Sequence, residues 1–239
     1  MNGLSQLERG VCDSIAAAEN ELVDLLCLLI GFDTITHTAG SPRRDEEALQ
    51  RLLATRLAGV GARIELTEPD ARPHWGDPMV PEGFTFAGRP QLVARFPGSA
   101  GGRTLLLNGH VDVVDVEPRE RWSSDPFVAE VRDGLVFGRG ACDMKGGVAA
   151  MVFAAETLAR LGVRLDGDLV VNTVTEEEST GAGGLVSART LVADAASSRS
   201  RADSPCGSRV VARCCPGSPS RAGPDTRGSL PATTATAVL

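Results

Sequence analysis

The chain has 239 residues, 42% of them hydrophobic and 23% charged, which is enough for one sizeable domain and too apolar for wholesale disorder. Its formal net charge of −7 argues against nucleic acid or an anionic membrane as a partner. The best apolar run, residues 25–32, falls far short of the ~20 residues of a membrane span, and the start Met1-Asn2-Gly3-Leu4 lacks the basic, apolar character of a secretory signal, so a cytoplasmic protein is expected.

Leu4, Leu7, Val11, Ile15, Leu22, Leu25, Leu26 and Leu29 recur at helical steps and predict one amphipathic helix. A second is predicted over 43–58, with Leu49, Leu52, Leu53 and Leu57 behind the acidic first turn Asp45-Glu46-Glu47. Strands are predicted at Arg63–Thr67, Gln91–Phe96 and 104–107, with the Pro- and Gly-rich segment 68–90 as a long loop. Strands 128–131 and Leu135–Phe137 flank Arg132-Asp133-Gly134, a hairpin turn. A mostly apolar helix over 146–161, closed by Gly162, a buried strand over 168–173 and a helix over 183–195 complete the body. Strands interleaved with helices define an α/β fold, and the hairpin makes its sheet mixed.

The composition changes near residue 196. Residues 1–196 hold 18 Arg and Lys against 29 Asp and Glu, a net of −11, whereas residues 197–239 hold 6 Arg against 2 Asp, a net of +4. The second segment is rich in Ser, Pro and Arg, has no aromatic residue and buries too little to offset chain entropy, so 197–239 is expected to be a disordered tail. An out-of-frame reading of a GC-rich gene would produce such a segment, as would a genuine flexible tail; the nucleotide sequence around codon 196 separates the two. The single lysine, Lys145, fits the GC-rich bias. The six cysteines lack metal-type spacing and read as thiols.

Three segments carry candidate chemistry, each at a strand end or a helix start, where active sites of open α/β sheets collect. In Leu105-Leu106-Leu107-Asn108-Gly109-His110-Val111-Asp112 an apolar strand runs into a histidine and an aspartate two positions apart, on the same side of an extended chain. Asp112 can then fix the imidazole tautomer while the other nitrogen faces a metal, although a hydrogen-bonded strand-end histidine has the same pattern. In the glycine-rich segment from Gly138 to Gly147, Asp143 has two oxygens that could bridge two cations, or it is an ordinary helix-start carboxylate. Glu176-Glu177-Glu178 directly follows an apolar strand; it is either a solvated acidic turn or a cluster neutralised by a cation, with one glutamate left to move protons. Together, histidine, aspartate and glutamate at successive strand ends suit Zn²⁺, with Co²⁺ or Mn²⁺ as alternatives.

The ensemble resembles the acetylornithine deacetylase and succinyl-diaminopimelate desuccinylase family of zinc-dependent amidohydrolases, over residues 4–196. The resemblance rests on Asn108-Gly109-His110-Val111-Asp112-Val113-Val114, Trp122 with Asp125-Pro126-Phe127, Asp133-Gly134, Gly138-Arg139-Gly140 through Asp143-Met144-Lys145-Gly146-Gly147, and Glu176-Glu177-Glu178 followed by Gly183. It implies the mixed-sheet catalytic domain of a zinc peptidase, of which 1–196 is the N-terminal part, without the lid or dimerisation domain. It further implies His110 as ligand of one metal, Asp112 as its orienting carboxylate, Asp143 as the bridge to a second metal, Glu178 as that metal's ligand and Glu177 as general base; a register shifted by one would make Glu176 the base. The implied reaction is metal-dependent hydrolysis of the amide of an N-acyl amino acid, with a remnant lacking activity, or a dipeptidase or aminopeptidase, as alternatives.

Two ligands of the family pattern lie beyond the match: an acidic residue some two dozen positions after the glutamate ligand and a histidine near the far end. No histidine follows His110, and the surroundings of Asp203 do not fit the acidic position. Each metal would keep two protein ligands, against three in most catalytic zinc sites, so weak metal binding and little turnover are expected. The family-type homodimer is not expected without the lid domain, and uncovered strand edges should favour association.

Overall fold

The computed structural model describes residues 4–36 and 44–198, together with the backbone of 209–212 and 236–238. The first amphipathic stretch forms two helices, α1 (Gln6–Ala17) and α2 (Glu19–Ile30), where the periodicity predicted one. A capping box opens α1: the Glu8 N–H donates to Ser5 Oγ at 3.2 Å, and the Ser5 N–H donates to the Glu8 carboxylate at 2.6 Å. The chain breaks at Ala18, whose φ of −107° and ψ of 26° leave helical geometry. The break lets α2 bury Leu25, Leu26, Leu29 and Ile30 while α1 buries no residue fully. Alanine is the best helix former, so this tertiary demand leaves no local signal.

Helix α3 (Glu46–Gly59) turns Leu49, Leu53 and Leu57 inward. Strands β1 (Arg63–Thr67), β2 (Gln91–Phe96) and β3 (Leu105–His110) follow, then the hairpin of β4 (Glu130–Arg132) and β5 (Leu135–Phe137). Asp133 and Gly134 both have positive φ, 52° and 74°, as a two-residue hairpin turn of the primed type requires. Segment 68–90 is a loop apart from one turn at Arg72–His74. Helix α4 (Gly146–Arg160), strand β6 (Leu169–Val174), helix α5 (Ala182–Thr190) and strand β7 (Ala195–Ser198) complete the body.

The helix predicted over 183–195 is corrected here: it ends at Thr190, and residue 195 begins a strand. Ala195 to Ser198 pair in parallel with Leu105 to Asn108, anchored by the Asp194 carboxylate, which accepts the Thr104 N–H at 2.8 Å. Small residues of low strand propensity become a strand because β3 offers an open edge. The compositional boundary at residue 196 thus falls inside β7. Beyond it, 209–212 forms β8, antiparallel to β7, and 236–238 forms β9 against β5; the rest of the expected tail, with Asp203, Cys206, Cys214 and Cys215, lies outside the described residues.

The main sheet has the order β1-β2-β6-β3-β7-β8. β1, β2 and β6 pair antiparallel, while β6, β3 and β7 run parallel, so the sheet is mixed as expected, but through β1 and β2: the β4–β5 hairpin lies in a separate sheet with β9. One core cluster joins α2, α3 and α4 to the sheet through Leu29, Leu53, Val152, Phe153, Leu92 and Val171. A smaller cluster packs Ala182 and Val186 of α5 against Val80 and Phe86 of the long loop. Every residue of β6 is buried, as befits a central strand covered on both faces. Cys12 and Cys27 are free thiols, and no helix among the described residues is long and apolar enough to cross a membrane.

Candidate functional site

The parallel pair β3 and β6 ends level, with His110 beside Val174. The turns leaving these strands therefore emerge side by side at the carboxyl rim of the sheet, and the turn entering α4 joins them there. Gly183 makes the turn after β6 possible, since a Cβ at that position would lie 1.9 Å from the Thr175 carbonyl oxygen. In the turn before α4, Gly140 takes a φ of 77°.

His110 is 2% exposed. Its Nδ1–H donates to the Asp112 carbonyl at 2.9 Å, while the Asp112 carboxylate stands farther off, 3.7 Å from the same nitrogen. A carbonyl only accepts, so the proton sits on Nδ1, and Nε2 is the nitrogen turned toward the carboxylates. Nε2 lies 3.2 Å from Asp143 Oδ1 and 3.7 Å from Glu177 Oε2. One donor atom each from His110, Glu177 and Glu178 lies within 4.8 Å of the others. The residues singled out in three separate stretches of sequence therefore converge. Glu177 and Glu178 both reach the histidine, so proximity alone does not divide the roles of base and ligand between them.

Asp112 is completely buried; its Oδ2 accepts the Glu178 N–H at 2.9 Å, and its Oδ1 has no hydrogen-bond partner. The carboxylate thus ties the turn after β3 to the glutamate turn. Glu176 turns away from the cluster: it is 2% exposed, ion-paired with Arg89, and its other oxygen accepts the Ser179 hydroxyl. This placement disfavours the register in which Glu176 is the base.

The rim is electrostatically loaded. Burial would lower the His110 imidazole, but the Asp143 hydrogen bond and the charges of Asp112 and Glu177 hold it up at about 9. Burial pushes Glu178 up to about 7; His110 pulls it down, and Asp143, Glu177 and Asp112 push it further up. Burial also raises Asp112. Imidazole nitrogen and carboxylate oxygen are the donor types that zinc accepts. The crowded carboxylates and the lone-pair direction of Nε2 fit a divalent cation, whose charge would relieve both shifts.

Sequence reasoning missed three participants. Glu46, read as an acidic first turn, is buried, and burial pushes its carboxyl to about 7. Lys145 is buried with Nζ donating to the Phe32 carbonyl at 2.7 Å, and desolvation lowers it to about 7 against the pull of Asp33, Asp45 and Glu46. Arg89 belongs to a loop whose composition carries no sign of a partner 87 residues away.

The fold is the mixed-sheet α/β fold of zinc peptidases. Residues 106–212 match the model of peptidase family M20/M25/M40, which the chain resembles over this segment. An N-formyl-4-amino-5-aminomethyl-2-methylpyrimidine deformylase of Bacillus subtilis is 34% identical over 169 residues, 70% of this chain and 35% of that protein. A succinyl-diaminopimelate desuccinylase of Leptothrix cholodnii is 38% identical over 142 residues, 59% of this chain and 34% of that protein. Among solved structures, human carnosine dipeptidase 1 shares the fold with a TM-score of 0.62 at 22% identity, over 76% of this chain and 37% of that one. The chain spans about a third of the length of the curated relatives it matches.

Proposed function

We propose that the rim is a divalent-cation site serving hydrolysis of the amide bond in N-acyl amino acids or related N-acyl amines. The observation that carries this reading is the convergence of His110, Asp143, Glu177 and Glu178 at the ends of two adjacent parallel strands. In it His110, Asp143 and Glu178 would hold Zn²⁺, with Co²⁺ or Mn²⁺ as alternatives. Bound there, a cation supplies a Lewis acid for the amide carbonyl and eases ionisation of water. Glu177, the most exposed of the three glutamates, accepts the proton of the attacking water and returns it to the leaving amine. Asp112 and its carbonyl hold the imidazole tautomer and the glutamate turn. Removal of a small acyl group is favoured over dipeptide cleavage because the relatives with substantial sequence identity carry deformylase and desuccinylase names.

Metal content after dialysis against Co²⁺, combined with hydrolysis of N-acetylornithine, N-succinyl amino acids and a free dipeptide, tests the reading. Uptake of cobalt and release of the acyl group are expected, the release abolished in Glu177→Gln. A chain that takes up no cobalt contradicts the site, and preferential cleavage of the dipeptide contradicts the substrate class.

A further inference from the structure

The hydrolytic reading leaves a buried ion pair at the rim without a task. Arg89, two positions before β2, has a side chain only 15% exposed, and it pairs with Glu176 at 2%. The guanidinium also donates to the Thr85 carbonyl and lies 5.2 Å from the centre of the Phe84 ring. The second Glu176 oxygen accepts the Ser179 hydroxyl, and the Glu176 carbonyl accepts the Gly181 N–H at 2.7 Å. Glu176 has a φ of 67°, a left-handed conformation uncommon outside glycine. That backbone turn sends residue 176 inward and places Glu177 and Glu178 against His110. Arg89, Asp112 and Glu176 are all within electrostatic reach of buried Glu46, so Glu176 stands in a neighbourhood of carboxylates. A carboxylate buried among its like persists only when a cation pairs with it, and Arg89 is that cation.

We propose that Arg89 is a positioning residue for the metal centre: by neutralising Glu176 it keeps the turn after β6 inward-facing and thereby aligns Glu177 and Glu178 with His110. The inference rests on the cation-site reading above. It links the long loop 68–90, which contributes no donor atom to the cluster, to the geometry of the centre.

Cobalt titration of the full 239-residue chain, followed by visible absorption, tests it with wild type, Arg89→Met, Glu176→Gln and the double variant, each checked for folding by circular dichroism. Arg89→Met is expected to weaken Co²⁺ binding about 10- to 100-fold and to alter the band shape, as loss of a supporting partner does. The double variant is expected to return to within about threefold of wild type, because no unpaired buried charge remains. Arg89→Met with wild-type affinity and spectrum overturns the inference, as does a double variant no better than Arg89→Met. Should Arg89→Met not fold, the milder Arg89→Gln decides: about tenfold weaker binding supports the role, and wild-type binding overturns it. A wild-type chain without cobalt uptake overturns the cation-site reading itself, and this inference with it.

Discussion

The two ends of the sheet's packing obey opposite rules. Beneath the sheet, Leu29, Leu49, Leu53, Leu57, Val152 and Phe153 are buried among one another. At the carboxyl rim, His110, Asp112, Lys145, Glu46 and Glu176 are just as deeply buried, yet every one is ionisable. Apolar burial stabilises at roughly 25 cal/mol per Å², whereas burying charge costs free energy unless partners match it. The comparison teaches that α2, α3 and α4 hold the fold together and that the rim is an electrostatically costly arrangement carried by them.

Substitutions separate the two regions. The largest effect on folding is expected beneath the sheet: Phe153→Ala should cost about 3–5 kcal/mol in urea denaturation and leave cobalt affinity of the remaining folded protein unchanged. Equal damage to metal binding would erase the distinction. At the rim, His110→Ala should lower Co²⁺ affinity about 100-fold, near 2.7 kcal/mol, with a smaller loss of folding stability than Phe153→Ala shows. A folding loss as large as that of the core variant would contradict the assignment.

The rim should also respond to pH in a way the apolar core does not. The Glu46 carboxyl is at about 7 in the fold, against an ordinary value of 4.5, facing Arg89, Asp112, Glu176 and Lys145. Between those values the folded chain keeps a proton that the unfolded chain releases, so its contribution is fully present below 4.5 and is lost as pH rises toward 7. Wild type should lose on the order of 2 kcal/mol relative to Glu46→Gln across that window, measured by urea melts at both ends. A constant difference would show that Glu46 is ionised throughout. The smallest effect belongs to the solvated surface. The Arg51–Glu47 pair on α3 is an exposed i,i+4 bridge at 2.7 Å, and Arg51→Ala should cost only about 0.3–0.5 kcal/mol.

What the sequence made legible follows the range of the forces involved. Alternation placed β1, and the Asp133-Gly134 turn placed the hairpin, because neighbours in sequence determine both. His110, Asp143 and Glu178 were legible because each stands at an element boundary that local pattern reveals, and the family resemblance joined them. The break at Ala18 and strand β7 were not, since one answers to the packing of α2 and the other to the free edge of β3. Gln50 donating to the Thr173 carbonyl and Arg89 pairing with Glu176 were equally hidden: each joins segments more than 80 residues apart whose only common property is where the fold puts them.

The central claim is that His110 and acidic side chains jointly hold a divalent cation at the rim. X-ray absorption at the zinc edge of the Zn²⁺-loaded chain tests it most directly. The account requires imidazole scattering from one nitrogen ligand at about 2.0–2.1 Å, the rest of the shell being oxygen, with that signal lost in His110→Ala. An all-oxygen shell in wild type, or an imidazole signal that survives in His110→Ala, would contradict it.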